Sequence, residues 1–260
     1  MSSTDIKLEV CVDSIASALA AAEGGASRIE LCSALTEGGL TPSLGTLMTL
    51  KELITIPIYC MLRPRRGNDF IYSNAEIESI LLDLDVLRSH GADGFVFGAL
   101  TEQRSIDVEK CQRVLERAGG MPLTFHRAFD LTTPELMHEN VTIIKELGFK
   151  RLLSSGFRVT AIEGSDNLAQ LIAKHRDIII MPGAGISVSN LDELLTITKC
   201  VEFHASALSA AGVISRNGGV ASMDCDVTMG KQDASPYAIA DVNVVRGMKQ
   251  KVHSRALKII

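Results

Sequence analysis

The fold is decided by residues 94–186, where four short apolar runs begin 28 residues apart. The runs are GFVFGAL (94–100), PLTFHRAF (122–129), KRLLSSG (150–156) and IIIMPGAGI (178–186). Each run is rich in residues that favour β-strands, and the interval can hold a strand, a loop, a helix and a return loop. The region therefore predicts repeated β-α units, which build parallel sheets.

Four further apolar runs extend this pattern toward both ends of the chain. They are IKLEVCV (6–12), RIELCS (28–33), IPIYCMLR (56–63) and EFHASA (202–207). Between the runs, apolar residues recur at helical spacing, for example in AEIESILLDLDVLRSHG at 75–91. Eight strands with helical connections predict an α/β fold, a closed parallel (β/α)₈ TIM-type barrel. An open doubly wound sheet would favour G-x-G-x-x-G after its first strand, and residues 11–16 read CVDSIA instead.

The C-terminal part of the chain departs from the repeat. Residues 208–235 are rich in small side chains and predict a long loop after the eighth strand, and loops of that length are usually functional. Ser235 and Pro236 suit the cap and the first residue of a last helix over 236–255. Because no boundary between domains is visible, we expect residues 1–260 to form a single domain.

Composition excludes several classes of protein. The 260 residues include 26 basic and 31 acidic side chains, a net charge of −5, so binding to nucleic acid through bulk positive charge is excluded. The longest strongly apolar stretch, residues 53–62, is much shorter than the roughly 20 residues that cross a bilayer. The start of the chain lacks the apolar core of a secretory leader. We expect no membrane partner and a cytoplasmic protein with reduced thiols, which leaves entry to the nucleus open.

Polar residues recur at every second position of several predicted strands, where a buried parallel strand is normally apolar. The set comprises Glu9, Glu30, Glu202, His126 and His204. Alternation places them on the interior face of a barrel, near the strand ends where sites of this fold lie. Buried carboxylates need cations, which Arg63 and Arg127 could supply. The set fits either a structural ion network or an active site, in which case the three acids and His126 are the candidate catalytic residues.

A second group of residues predicts an anion site at the mouth of the barrel. The basic turn LRPRRGNDF (62–70) follows the third strand, and PGAGI (182–186) follows the seventh. Guanidinium groups suit carboxylate or phosphate, and loops of small residues let backbone N–H groups approach an anion. The candidate anion-binding residues are Arg63, Arg65, Arg127, Ser155, Gly183, Gly185 and His204. The expected ligand is a small anionic or phosphorylated metabolite, although a solvated charge cluster would also explain the basic turn.

Two of the six cysteines are placed for chemistry. Cys11 and Cys32 lie two residues after Glu9 and Glu30, so both should face inward on neighbouring strands about 4.8 Å apart. Two thiolates in a reducing compartment favour Cu(I), because zinc prefers four ligands and the chain has no C-x-x-C pair. The alternative is that both cysteines pack as small apolar side chains.

Several motifs together resemble the CutC copper homeostasis family. They follow one another in unbroken order over residues 6–250 and are LEVCVDS (8–14), GGASRIELCS (24–33), LTEGGLTPS (35–43), RPR (63–65), GADGFVFGALTE (91–102), TFHRAFD (124–130), SSGF (154–157), MPGAGI (181–186) and EFHASA (202–207). The resemblance implies a cytosolic TIM barrel, usually oligomeric, linked to copper tolerance, uptake, storage or delivery. It also implies Cu(I) binding through the cysteines of VCVDS and ELCS, which here are Cys11 and Cys32.

Two loops depart from the family pattern. The usual R-P-R-G-G-D-F is RPRRGNDF at 63–70, and the usual P-G-G-G-I is PGAGI at 182–186, changes that could alter the fit of a ligand. We therefore expect a homo-oligomeric Cu(I)-binding protein with a polar cavity. The alternative is a lyase or isomerase that moves a proton on a small anionic metabolite. A purely structural protein would explain the fold but not three interior acids.

Overall fold

Eight parallel strands form the centre of the protein in the computed structural model, which describes residues 6–213 and 238–257. They are β1 Lys7–Val12, β2 Arg28–Leu31, β3 Ile58–Met61, β4 Gly94–Phe97, β5 Leu123–Phe125, β6 Arg151–Ser154, β7 Ile179–Pro182 and β8 Glu202–Ala205. Hydrogen-bonded neighbours follow the order β7-β6-β5-β4-β3-β2-β1-β8. Gly183, just after β7, lies directly against His204 of β8. The sheet thus curls into a nearly closed barrel, which confirms the predicted fold class.

Helices connect the strands and cover the outside of the barrel. They are α1 Ile15–Glu23, α2 Leu44–Leu53, α3 Asn74–Ser89, α4 Val108–Ala118, α5 Met137–Leu147, α6 Ser165–Lys174, α7 Leu191–Thr198 and α8 Val242–Leu257. The start of α3 shows how sequence places them: Ser73 Oγ accepts from the N–H of Glu76, whose carboxylate accepts from the N–H of Ser73 at 2.7 Å. Among the described helices, none is long and apolar enough to span a membrane.

Alternate residues of the strands face two different environments. Val10, Leu31 and Phe203 are fully buried in the core between barrel and helices, as the alternation predicts. Tyr59 and Met61 belong instead to a smaller apolar cluster of the barrel interior. Other interior positions hold polar side chains, among them Glu9, Glu30 and His204, so the pleat of the strands directs them to one place.

The predicted strands are too long at their C-terminal ends. Strands β2 to β8 end two to four residues earlier than the sequence indicated. At β5 the reason is local: Arg127–Leu131 forms a short 3₁₀ helix, and the His126 ring caps it by accepting from the N–H of Ala128. As a result, Arg63, His126 and Arg127 are the first residues of loops at the mouth of the barrel rather than strand residues.

Part of the predicted long loop is a strand. Leu208–Val213 forms β9, which pairs antiparallel with β10, Ala238–Ala240. The prediction of a loop over 208–235 is therefore wrong for its first six residues. The remainder of that loop lies outside the described residues, and the single domain over 1–260 stays a prediction.

The last helix begins later than predicted. It starts at Val242 instead of 236, because Ala238–Ala240 pairs with β9 as strand β10. The Asp241 carboxylate accepts from the N–H of Asn243 at 2.8 Å and so caps the helix. Ser235, the expected cap, lies outside the described residues.

Candidate active site and metal centre

Buried ion pairs cross the interior of the barrel. Arg28 on β2 donates through Nε to Glu9 on β1 and through Nη2 to Glu202 on β8 at 2.8 Å. Arg151, the first residue of β6, donates through Nε to the same Glu202 oxygen at 2.7 Å. Both carboxylates are at most 2% exposed, so these cations are what makes their burial tolerable.

The cations of this network differ from those expected. Within the described chain, Arg63 and Arg127 form no ion pair with the interior acids, so the prediction that they neutralise them is wrong. Arg28 and Arg151 were missed. Arg28 has a readable signal, since it precedes Glu30 by two residues and therefore shares its inward face. Arg151 opens a strand with no other charge, and its partner lies 51 residues away.

His204 and Glu9 form a buried acid–imidazole pair. His204 Nδ1 lies 2.8 Å from Glu9 Oε1. Burial by itself raises the pKa of Glu9, but Arg28 and His204 outweigh it and lower that pKa from 4.5 to about 2. Burial by itself lowers the pKa of His204, but Cys11, Glu30 and the bond to Glu9 raise it well above its usual value. At neutral pH neither residue is therefore a free general base.

Glu30 is the interior carboxylate with an unsatisfied oxygen. Its Oε1 accepts from Cys32 Sγ at 3.6 Å, and its Oε2 has no partner among the described residues. Burial raises the pKa of Glu30 from 4.5 to about 7. Glu30 is therefore the predicted catalytic acid that can exchange a proton near neutral pH.

Three side chains of metal-binding type converge in the interior. Glu9, Glu30 and His204 each offer a ligand atom within 4.8 Å of the others, and the described part of the chain holds no other such group of three. Cys11 and Cys32, the predicted ligands, are not members of this group. The ladder pairs Cys11 with Glu30, so the two thiols stand at different heights along the strands. Oxygen and imidazole donors suit harder divalent ions, whereas the thiols suit Cu(I).

A cavity of about 200 Å³ lies at the mouth of the barrel. Its lining includes Cys11, Glu30, Arg63, His126, Arg127 and His204, all of them predicted site residues. Glu9 and Glu202 do not line it and instead hold the network beneath. The structure thus brings two predicted catalytic residues, three predicted anion-binding residues and one predicted metal ligand to one small space.

His126 lines this cavity and carries a hydrogen-bond donor without a partner among the described residues. Its Nδ1 accepts from the N–H of Ala128 at 3.2 Å, so the neutral ring carries its proton on Nε2. Nε2 has no partner among the described residues. Burial, together with the charge of Arg63, lowers the pKa of His126 from 6.5 to about 3. The ring therefore polarises a bound group at neutral pH instead of taking a proton from it.

Arg63 is a buried cation that is bound only by carbonyl groups. Its Nη1 donates to the carbonyl oxygens of Glu37 and Gly39, at 3.1 Å each, and its Nη2 donates to that of Gly67 at 2.6 Å. Its guanidinium lies 5.0 Å from the ring centre of Phe70. No ion pair of Arg63 exists within the described ranges, so its charge favours an anion in the cavity.

Three further anion-binding candidates lie outside the cavity lining. Arg65 pairs with Asp69 at 2.9 Å, away from the barrel interior. Gly183 and Gly185 belong to the loop after β7, and the structure does not bring their backbone to the cavity. Ala184 between them has φ = 84°, a left-handed conformation that is strained for a residue with a side chain.

Asp130 organises the loops after β5 and β6 and was missed by the sequence analysis. Its carboxylate accepts from Ser154 Oγ at 2.6 Å, from the N–H of Ser155 at 2.9 Å and from Arg127 Nε at 2.9 Å. Ser155, an anion-binding candidate, thus directs its donors to Asp130 and does not line the cavity. The signal was available, because Asp130 closes the TFHRAFD motif that follows β5.

Fold and site together define a class: a TIM-barrel protein whose polar and thiol side chains meet at the carboxyl ends of its strands. The CutC family matches residues 6–209. The copper homeostasis protein cutC homolog of Drosophila melanogaster is 66% identical over 249 residues, which cover 95% of each chain. The chain therefore belongs to the CutC family of copper homeostasis proteins, as the motifs predicted.

Two more distant relatives agree with this assignment. The cutC homolog of Homo sapiens is 44% identical over 247 residues, which cover 92% of this chain and 86% of that one. The solved structure of CutC from Streptococcus agalactiae superposes with a TM-score of 0.74 at 28% identity, covering 77% of this chain and 98% of that one. The barrel described above is thus shared with a bacterial relative.

Proposed function

We propose that this protein binds Cu(I) in the cytoplasm between Cys11 and Cys32, at the mouth of the barrel. The observation that carries the proposal is that both thiols are free and lie at one small cavity: Cys11 lines the cavity, and Cys32 is bonded to Glu30, which also lines it. Cu(I) is soft and tolerates two thiolate ligands. Membership of the CutC family supports copper as the ion, and the family resemblance supports a homo-oligomer.

Copper binding at these thiols would release a proton. Burial, together with Glu30, raises the pKa of the Cys32 thiol well above its usual value, so the free thiol is protonated at neutral pH. The thiol donates to Glu30 Oε1 at 3.6 Å, which makes this carboxylate the nearest acceptor for the displaced proton. Since a metal binds the thiolate, Cu(I) affinity would increase with pH.

The Cys11→Ala/Cys32→Ala variant is expected to bind Cu(I) at least about tenfold more weakly than the unchanged protein, because even changes behind the ligands cost about 10–100-fold in metal affinity. Competition with a chromophoric Cu(I) chelator under anaerobic, reducing conditions measures affinity and stoichiometry. Cys111→Ala, which removes a thiol from the outer core, is the control and should keep both values. Unchanged affinity and stoichiometry in the double variant would contradict the proposal.

A second candidate function is proton transfer on a small anionic metabolite, in an enzyme of lyase or isomerase type. The observation that favours it is the pairing of an acid with a donor: Glu30 and His126 line one cavity, and each has an unpartnered polar atom. In this reading Glu30 takes a proton next to a carbonyl group, and His126 donates to the oxygen that becomes negative.

Exchange of a carbon-bound proton with solvent tests the second function. In D₂O the protein is expected to promote deuterium incorporation at the carbon next to the carbonyl or carboxyl group of small 2-oxo and 2-hydroxy acids, followed by NMR. Glu30→Gln should reduce the rate by about 10²–10⁴-fold, which is the usual contribution of a general base. Glu23→Gln, an exposed change on α1, is the control. Incorporation no faster than in buffer for every acid tested would contradict this function.

A further inference from the structure

We infer that the cavity binds a short 2-hydroxycarboxylate, with Arg63 and His126 donating to its carboxylate and Glu30 accepting from its hydroxyl group. The inference names a ligand class for the second candidate function. It rests on that function, because it assumes that the cavity takes an anionic metabolite. It concerns binding alone and is tested on the copper-free protein, so its outcome does not depend on whether copper binds.

Three buried polar atoms of residues that line the cavity carry the argument. Arg63 Nε, His126 Nε2 and Glu30 Oε2 are buried and have no hydrogen-bond partner within the described residues. Arg63, His126 and Glu30 are each 4% exposed, and all three line the same cavity. Buried polar atoms nearly always have a partner, so three orphaned atoms at one cavity indicate that a ligand supplies it.

The chemistry of the three atoms defines what the ligand must offer. Arg63 Nε can only donate, and His126 Nε2 donates because Nδ1 already accepts from the N–H of Ala128. The Glu30 carboxylate accepts. The complement is a molecule with two acceptor oxygens and one neighbouring donor, which is the pattern of a carboxylate with a hydroxyl group on the next carbon.

Charge and donor count favour a carboxylate over a phosphate. The buried guanidinium of Arg63 has only carbonyl partners and gains a counterion from a monoanion. A phosphate needs more donors, and three of the predicted anion-binding residues do not supply them: Ser155 donates to Asp130, and Gly183 and Gly185 lie outside the cavity lining. The two unpartnered donors, Arg63 Nε and His126 Nε2, match the two oxygens of one carboxylate.

The size and walls of the cavity limit the ligand further. About 200 Å³ is below the range of cavities for drug-sized ligands, so a molecule of a few carbons fits. Met61 and Leu153 provide apolar walls for a short alkyl group. The Phe70 ring packs on the His126 ring, with 4.7 Å between centres, and under the Arg63 guanidinium, which holds the two donors in a fixed relation.

Calorimetric titration of the copper-free protein, with a chelator and a reductant present, tests the ligand class. Glycolate, lactate and 2-hydroxybutyrate are expected to bind at least about tenfold more tightly than acetate, which lacks the hydroxyl group, and than inorganic phosphate. Equal or tighter binding of phosphate or acetate would overturn the inference, as would binding of none of the acids. The titration measures binding and no turnover, so the acids can bind even if the proton-exchange experiment fails. Neither result changes what is expected in the Cu(I) titration.

Two substitutions of His126 separate its donor from its structural role. His126→Asn keeps an acceptor at the position of Nδ1 for the N–H of Ala128 but has no donor at Nε2, and lactate binding should weaken by about 10–100-fold. His126→Gln places a donor near Nε2, and binding should stay within about tenfold. Equal loss in both variants, or no loss in His126→Asn, would overturn the assignment. His90→Asn on the surface is the control.

A measurement on the unchanged protein removes any dependence on the folding of variants. The proton on His126 Nε2 is expected to move downfield in the NMR spectrum when lactate is added, because it gains an anionic acceptor. An unchanged resonance at saturating lactate would show that the acid binds elsewhere and would overturn the inference.

Discussion

Replacing Arg28 with alanine is expected to lower the free energy of unfolding by about 3–5 kcal/mol, the usual cost of breaking a buried ion pair. Arg28 is 5% exposed and is the common partner of Glu9 and Glu202. Its removal leaves the Glu9 carboxylate with His204 alone, whereas Glu202 keeps Arg151. Urea denaturation followed by circular dichroism gives the value.

Two matched variants test the origin of this loss. Arg246→Ala removes one partner of an exposed pair with Glu23 and should change stability by less than about 0.5 kcal/mol. Arg28→Ala/Glu9→Gln removes the charges of both Arg28 and Glu9. This double variant should recover part of the lost stability, because most of the loss in Arg28→Ala comes from the unpaired buried carboxylate of Glu9. A loss below about 1 kcal/mol in Arg28→Ala would contradict a stabilising role for the network.

Replacing Glu30 with glutamine is expected to stabilise the protein at pH 8 by about 3 kcal/mol. The pKa of Glu30 is raised by burial from 4.5 to about 7 in the folded state. As the pH rises, Glu30 therefore loses its proton in the unfolded chain before it does so in the folded protein. The contribution of protonated Glu30 to stability is complete below pH 4.5, declines above that value, and is lost as the pH passes about 7. Glutamine has a similar volume and does not ionise, so the variant avoids the loss.

Stability measured by urea denaturation between pH 3 and pH 8 checks this prediction. The unchanged protein should lose stability between pH 4.5 and pH 7 through Glu30, and Glu30→Gln should lack that decline. Glu9 acts in the opposite direction: its pKa is lowered to about 2, so its contribution is present above pH 4.5 and is lost as the pH falls through 2. Parallel curves for the two proteins from pH 4.5 to pH 8 would contradict the prediction.

The barrel could be predicted because its signal is repeated eight times along the chain. The interior acids could be predicted as well, since Glu9, Glu30 and Glu202 interrupt strands that are otherwise apolar. Strand ends could not be predicted with the same accuracy. In the run 122–129, for example, apolar residues continue to Phe129, but the strand ends at Phe125 and His126 caps a short 3₁₀ helix. The pairing of β9 with β10 joins segments separated by more than 20 residues, which periodicity does not report.

The partners of the charged side chains were beyond the reach of the sequence. Arg63 and Arg65 stand two residues apart in one basic turn, yet only Arg63 lines the cavity, while Arg65 pairs with Asp69. Which of the two turns inward depends on the path of the loop and on the carbonyl groups that it presents. Likewise, the partner of Arg28 on β8 is set by barrel closure, which brings distant strands together.

The ion network also makes the folding of the first strands depend on β8, the last strand of the barrel. Arg28 and Glu202 are 174 residues apart in the chain, and Glu9 and His204 are 195 apart. Contacts of such separation form slowly, since a long loop must close first. During synthesis, β1 leaves the ribosome well before β8 is made. One edge of β1 therefore stays unpaired until β8 pairs with it. Closure of the barrel is therefore a late step, and chains interrupted before β8 expose an edge that favours aggregation.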